Sequence, residues 1–153
     1  MTTAASVAAA RGILEREQDL LARQDVPGTL TLIGGSSLPG LVTKGDIDLH
    51  LRVRPADFEA ATRRLPPRYR PVHLEIWTEA FATFERDGAP PIGVALTVLG
   101  SEHDRRFVRS WQRMAVDAAA RAAYNAVKRA GGDVEDAKSR FFDALVDDQL
   151  SEG

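Results

Sequence analysis

The chain has 153 residues, of which 44% are hydrophobic, enough to bury the core of one domain over residues 1–153. A formal charge of −2 argues against a broad nucleic-acid-binding surface, and the absence of cysteine excludes disulfides, thiolate metal sites and cysteine nucleophiles. No apolar run reaches the length of a membrane span and the N-terminus lacks a secretory signal pattern, so the sequence predicts a cytoplasmic protein without membrane contact.

The first part of the sequence predicts a helix, followed by a strand that runs into a glycine turn. Residues 4–23 have a helix-favouring composition, and Pro27 with Gly28 ends that pattern. The run Thr29–Ile33 is β-branched and apolar, which is typical of a short buried strand. It leads directly into Gly34-Gly35-Ser36-Ser37, so we expect a tight loop where the strand ends.

The clearest alternation of polar and apolar residues follows this loop. One face of the pattern holds Ile47, Leu49, Leu51 and Val53, and the other holds Asp46, Asp48, His50, Arg52 and Arg54. This alternation predicts a half-buried strand with one wholly polar face. Pro55 then suits the first turn of a short crossover helix over residues 57–65, and Pro66-Pro67 forbids its continuation.

Three more strand-like runs and a helical region complete the chain. The runs cover residues 69–78, 81–84 and 92–99. Beyond Gly100 the composition favours helix, and Gly131-Gly132 separates these segments from a last helix that has Asp133 as its N-cap. The order predicts an α+β domain with a sheet of four or five strands, flanking helices and a helical C-terminal part over about residues 103–149.

The loop after the first strand has the composition of a phosphate-binding turn. Gly34 and Gly35 have no Cβ, so their main chain can approach a polyphosphate closely. The hydroxyls of Ser36 and Ser37 can add hydrogen bonds to the same anion. We expect these four residues, with Lys44, to bind the phosphates of a nucleoside triphosphate.

Carboxylates after this loop supply what a metal-dependent transfer reaction needs. Asp46 and Asp48 lie two residues apart in an alternating pattern, which predicts that they share one strand face and can hold Mg²⁺. Glu75, in a later strand-like run, is the candidate third carboxylate. The competing interpretation is that the two aspartates form only the solvent face of an amphipathic strand, and that Glu75 and His50 extend a polar surface.

These residues resemble a known group of proteins. The segments Ile33-Gly34-Gly35 and Asp46-Ile47-Asp48-Leu49 resemble the signature of the DNA polymerase beta-like nucleotidyltransferase superfamily, and residues 33–44 resemble the Ile-Gly-Ser-Thr-Ser-Val-Pro-Gly-Leu-x-x-Lys segment of the GrpB family. Leu99-Gly-Ser101, Tyr124-Asn-Ala-Val-Lys128 and Ala137-Lys138 with Phe141 extend the resemblance over about residues 30–145. It implies a nucleotidyltransferase-like mixed sheet with a helical C-terminal part.

Two positions depart from the GrpB pattern. The family commonly has His-x-His on the strand before its Gly-Ser pair, where this chain has Ala95-Leu-Thr97. The family's lysine is usually followed by proline, whereas Lys44 is followed by Gly45-Asp46, as in an ordinary nucleotidyltransferase. The chain therefore resembles a divergent member, and any role of those histidines is absent.

The sequence leaves three functions open. The first is a Mg²⁺-dependent nucleotidyltransferase, with Asp46, Asp48 and Glu75 as catalytic residues, that moves a nucleoside monophosphate from a nucleoside triphosphate to an unknown acceptor hydroxyl. The second is a nucleotide- or anion-binding module that kept the fold and lost turnover. The third is an antitoxin-like interaction protein built on the same fold.

Overall fold

The architecture is known from a computed structural model, which describes residues 1–130 and 140–145. The helices are α1 (Ala4–Arg23), α2 (Phe58–Arg64), α3 (Glu102–Val116) and α4 (Ala118–Ala130), with residues 140–145 also helical. The strands are β1 (Thr29–Ile33), β2 (Ile47–Val53), β3 (Arg70–Val72), β4 (Phe81–Arg86) and β5 (Ile92–Val98). Short 3₁₀ turns cover Pro55–Asp57 and Leu74–Ile76.

All five strands belong to one mixed sheet, in the order β1-β2-β5-β4-β3. The central pair, β2 and β5, is parallel, and every other neighbouring pair is antiparallel. The register of the central pair places Asp48 opposite Gly93, and Gly93 is opposite Glu85 on β4. Residues aligned in this way point to the same side of a sheet, so these three positions form one row across its middle.

One face of the sheet carries the larger hydrophobic core. The apolar residues of β2 predicted to be buried are all in it, since Ile47, Leu49, Leu51 and Val53 are each at most 4% exposed. Helix α1 contributes Leu21 and α2 contributes Ala61 to the same cluster. Both helices therefore cover this face, which is the arrangement expected when an alternating strand buries its apolar side.

The opposite face of β2 is covered as well, which corrects the prediction of a half-buried strand. His50 is only 1% exposed, and Asp104 of α3 is equally buried above it. Polar groups can be buried in this way when they are paired, and the Asp104 carboxylate accepts two hydrogen bonds from Arg52. Alternation shows that a face is polar, but a helix distant in sequence decides whether it meets water.

A second, smaller core joins the loop after β1 to the helical part. Leu41 and Met114 are fully buried in it, together with Tyr124 of α4 and Leu145. Trp111, Phe141 and Phe142 pack against this cluster. The loop that holds the predicted phosphate turn is therefore anchored by the C-terminal helices and not by the sheet alone.

Two further predictions concern the segment around β3 and the residues beyond α4. The prediction of a strand over residues 69–78 is wrong beyond β3. His73 takes a left-handed conformation with φ 52°, and the chain then turns through Leu74–Ile76. The predicted helix break at Gly131-Gly132, the N-cap Asp133 and the motif residues Ala137 and Lys138 lie outside the described residues. Within the described part, no helix is both long and apolar enough to cross a membrane.

Candidate functional site

A cavity of about 580 Å³ lies between the polar face of the sheet and the C-terminal helices. Its floor consists of residues from β2, β5 and β4, and α3 supplies much of its wall. Of the eight residues predicted for the site, Gly34 and Asp48 line this cavity. The cavity therefore contains the junction between the glycine turn and the polar strand, but not the whole predicted set.

Asp48 sits at this junction between two glycines. A Cβ added at Gly34 would collide with the Asp48 carboxylate, and one added at Gly93 would lie 3.3 Å from Asp48 Oδ1. Gly34 also has φ +82°, a left-handed conformation that residues with a Cβ rarely adopt. The two glycines thus make the space that the Asp48 side chain occupies on the cavity floor.

The serines of the turn hold the loop together. Ser36 Oγ donates to the main-chain oxygen of Asp46 at 2.7 Å, and Ser37 Oγ donates to that of Gly34 at 2.6 Å. Both serines are at least 93% buried. Because a hydroxyl has one hydrogen to donate, neither serine can give a hydrogen bond to an anion without breaking a bond of the loop.

The rest of the loop is fixed by close packing at Gly35 and by hydrogen bonds from Thr2 and from Asn125 of α4. Gly35 packs closely, since a Cβ there would lie 2.8 Å from the Val42 carbonyl oxygen. Thr2 donates through Oγ1 to the Gly35 oxygen at 2.5 Å. From α4, Asn125 accepts from the Val42 amide at 2.7 Å and donates to the Gly40 oxygen at 2.9 Å. Sequence patterns missed Asn125, because no local signal links residues 83 or more positions apart.

The remaining predicted residues lie away from the cavity lining. Asp46 precedes β2, so strand alternation does not fix its direction, and Lys44 Nζ lies 3.8 Å from its Oδ2. Glu75 lies on an exposed 3₁₀ turn, where its Oε1 lies 3.7 Å from His73 Nδ1. Only Asp48 among the three predicted carboxylates therefore belongs to the cavity floor.

A buried polar network joins the sheet to α3 beside the cavity. His50 Nε2 lies 2.8 Å from Thr97 Oγ1, and that hydroxyl donates to Asp104 Oδ1 at 2.9 Å, so His50 is the donor to Thr97. Burial raises the pKa of Asp104, but the hydrogen bonds from Arg52, the Gly100 amide and Thr97 outweigh it and lower the pKa to about 2. Burial lowers the pKa of His50 to about 4, despite the opposing effect of Asp104.

The depressed pKa of His50 predicts a loss of stability in mild acid. An unfolded histidine takes up a proton near pH 6.5, whereas His50 in the folded chain does so only near pH 4. The free energy of unfolding should therefore fall between these two values, by about 3 kcal/mol in total. Urea unfolding at pH 7, 5 and 4 measures the fall, and His50→Gln should shrink it. An undiminished fall in H50Q would contradict this assignment.

Helix α3 places a second set of polar residues on the cavity wall. His103, Arg106 and Ser110 recur every three or four residues, so they share one helical face. Burial, followed by the charge of Arg106, lowers the pKa of His103. On the floor, Glu85 also lines the cavity. Sequence reasoning missed all four, because their relation to Asp48 depends on strand register and helix placement.

Comparisons with known proteins agree with this architecture. No protein-family model matches the sequence, and no curated protein sequence matches it. Among solved structures, the chain is similar to the crystal structure of the conserved protein GrpB from Enterococcus faecalis, with a TM-score of 0.73, 16% sequence identity and coverage of 94% of both chains. The chain has a GrpB-like fold. The predicted α+β class, with its mixed sheet and flanking helices, is confirmed.

One departure from the GrpB sequence pattern, at Ala95-Leu-Thr97, lies on β5 of this fold. On β5, the residues that share the face of Asp48 are Gly93, Ala95 and Thr97, and none is acidic or a histidine. The strand beside Asp48 therefore offers no further metal ligand. Across residues 1–130 and 140–145, no group of three or more His, Asp and Glu side chains is placed to hold a metal ion.

A Mg²⁺ site built from protein side chains alone has no support among the described residues. Such an ion takes near-octahedral oxygen ligands at short distance, but Asp46 already has a lysine ammonium group beside it and β5 contributes no carboxylate. The alternative ligand Glu85 is opposite Gly93, two strand spacings or about 10 Å from Asp48, and its carboxylate binds Arg70 at 2.9 Å.

Proposed function

We propose that this chain binds a nucleotide or nucleoside in the cavity without transferring its nucleotidyl group. The observation that carries the proposal is the cavity itself, whose floor holds Asp48 between Gly34 and Gly93. A volume of about 580 Å³ lies within the range of small-molecule sites. The cavity combines aromatic and aliphatic walls with a few polar groups, which is the usual composition of such sites.

The polar groups of the cavity suit different parts of one ligand. Asp48, as a carboxylate, accepts hydrogen bonds from hydroxyl groups such as those of a ribose. Arg106, on the α3 wall of the cavity, supplies positive charge for a phosphate. Its guanidinium also lies 3.4 Å from Asp143, so a phosphate would compete with that exposed carboxylate for the same donor. A phosphate bound by Arg106, and not beside Asp48, avoids repulsion by that carboxylate.

Catalysis by nucleotidyl transfer is the function that the site supports less well. The reaction requires neutralisation of charge at the transferred phosphate, and the described residues around Asp48 contain no three-ligand metal cluster. The serines that would bind the triphosphate already donate within their own loop. A binding module therefore accounts for more of the observed contacts than a transferase does.

The proposal is tested by calorimetric titration with ATP, AMP and adenosine, with and without Mg²⁺, beside an assay for pyrophosphate release. We expect binding of at least one ligand in the absence of metal, a loss of about tenfold or more in Asp48→Asn and Arg106→Gln, and no pyrophosphate. The exposed Asp87→Asn and Arg63→Gln are matched controls. Absence of binding by all three ligands would overturn the proposal, and metal-dependent pyrophosphate release would establish the transferase instead.

A further inference from the structure

The middle of the cavity floor is a shallow trough formed by small residues. Gly93 and Ala95 lie on β5, between the larger side chains of β2 and β4, and both line the cavity. Their neighbours in register are Asp48 and Glu85 on either side of Gly93, and His50 and Thr83 on either side of Ala95. The trough is thus about two strand spacings, or about 10 Å, from side to side.

The wall opposite this trough is aromatic. Phe107 and Trp111 lie one turn apart on α3, and both line the cavity. Trp111 is held edge-on to Tyr124 at 5.8 Å, and Phe107 is 5.1 Å from the His50 ring. Their positions are therefore fixed by packing. A flat aromatic ligand can stack against such side chains while a glycine and an alanine leave room beneath it.

A second observation points to a ligand at the same place. Ser110, between these two aromatic residues in sequence, lines the cavity and is 1% exposed, yet its hydroxyl has no hydrogen-bond partner among the described residues. A buried hydroxyl without a partner costs free energy. A ligand atom able to accept or donate a hydrogen bond would give Ser110 the partner that residues 1–130 and 140–145 do not supply.

From these features we infer that the trough over Gly93 and Ala95 is a subsite for a planar, uncharged heteroaromatic ring of the nucleobase class. The inference rests on the proposed function and names the part of the ligand that occupies the centre of the cavity. The ring lies between the small floor residues and the aromatic face of α3, and a ring nitrogen or carbonyl oxygen contacts Ser110. The sugar then reaches Asp48, and the phosphate reaches Arg106.

The ring subsite is tested by comparing ligands that differ only in the base. Wild-type protein is titrated calorimetrically with ribose 5-phosphate and with the monophosphates of adenosine, guanosine, cytidine and uridine. At least one nucleotide should bind about tenfold or more tightly than ribose 5-phosphate, which corresponds to about 1.4 kcal/mol. Binding of the base should also quench Trp111 fluorescence, and Trp111→Phe should lose that signal.

Substitutions on the floor then locate the ring. Ala95→Leu should fill the trough and remove the preference for the nucleotide, while leaving binding of ribose 5-phosphate within about twofold. Gly93→Val should weaken ribose 5-phosphate as well, because the new side chain meets the carboxylate of Asp48. A Cβ added at Gly93 would lie 3.3 Å from Asp48 Oδ1, and thermal melts report whether each variant is folded. Gly12→Ala, in open space on α1, is the matched control. Ser110→Ala should weaken binding of the nucleotide but not binding of ribose 5-phosphate.

The outcomes separate the two proposals. If ribose 5-phosphate binds as tightly as every nucleotide, the ring subsite is refuted, but the proposed binding of a nucleotide in the cavity survives. If a nucleotide is preferred but folded A95L keeps that preference, the ring lies elsewhere and the inference is wrong. If no phosphorylated ligand and no nucleoside binds, both proposals fail.

Discussion

Replacing Asp104 with alanine should lower the free energy of unfolding by about 3–5 kcal/mol. The carboxylate is 1% exposed and accepts hydrogen bonds from Arg52, Thr97 and the amide of Gly100. Its bond to Arg52 is bidentate, with Nε and Nη2 at 2.7 and 2.8 Å. Removing it leaves these donors without an acceptor under α3, and a buried charge without its partner is among the costliest defects in a protein.

Two controls separate this network from a general effect of losing a carboxylate. Asp104→Asn keeps the shape and one acceptor oxygen, so it should cost about half as much. Asp57→Ala removes an ion pair in which the Arg54 side chain is 74% exposed, and it should cost less than about 1 kcal/mol. Chemical denaturation at pH 7 measures all three. If D104A lowered the free energy of unfolding as little as D57A does, the network would not hold α3 on the sheet.

The network also determines the shape of the candidate site. Phe107 and Trp111 of α3 form the aromatic wall of the cavity, and Asp104 ties the first turn of the same helix to β2 and β5. Helix α3 is therefore positioned by polar contacts at one end and by the second core near Met114 at the other. Loss of the polar contacts should open the cavity at its His103 end before it unfolds the sheet.

Local chemistry made the strands and the first helix predictable from sequence. Pro27-Gly28 and the glycine turn bracket β1, and the predicted alternation from Asp46 to Arg54 contains β2, Ile47–Val53. Such signals depend on neighbouring residues alone. The run over residues 69–78 was predicted wrongly because composition does not reveal the left-handed turn at His73.

The candidate site was less predictable because its parts meet only after folding. Asp48 and its glycine turn were visible as a motif, but the row from Asp48 through Gly93 to Glu85 depends on strand register. The burial of His50 depends on a helix more than fifty residues later in the chain. Glu75, by contrast, was predicted from its position in a strand-like run, but the strand in that run, β3, ends at Val72 and Glu75 lies on the 3₁₀ turn that follows. The predicted roles of all eight site residues remain predictions: Gly34, Gly35, Ser36, Ser37, Lys44, Asp46, Asp48 and Glu75.

Replacing Glu17 with alanine should also destabilise the chain by about 3–5 kcal/mol, on the face of the sheet away from the cavity. Glu17 is 1% exposed within α1, where it accepts hydrogen bonds from Arg68 at 2.6 to 3.1 Å and from the Tyr69 hydroxyl. Burial, together with the neighbouring Glu17, raises the pKa of Tyr69, so the phenol stays protonated and donates. Without Glu17, the guanidinium of Arg68, only 19% exposed, and the fully buried Tyr69 hydroxyl lose their shared acceptor.

Because this ion pair lies far from the proposed ligand, it also separates stability from binding. Asp19→Ala, which removes an exposed pair with Arg23, should cost less than about 1 kcal/mol. The double variant Glu17→Met/Arg68→Met should recover most of the loss, since the cost arises from an unpaired buried charge more than from the missing attraction. At a temperature where E17A remains folded, its affinity for the ligand should equal that of the wild type. A matching loss of affinity would mean that α1 and the cavity are coupled through the sheet.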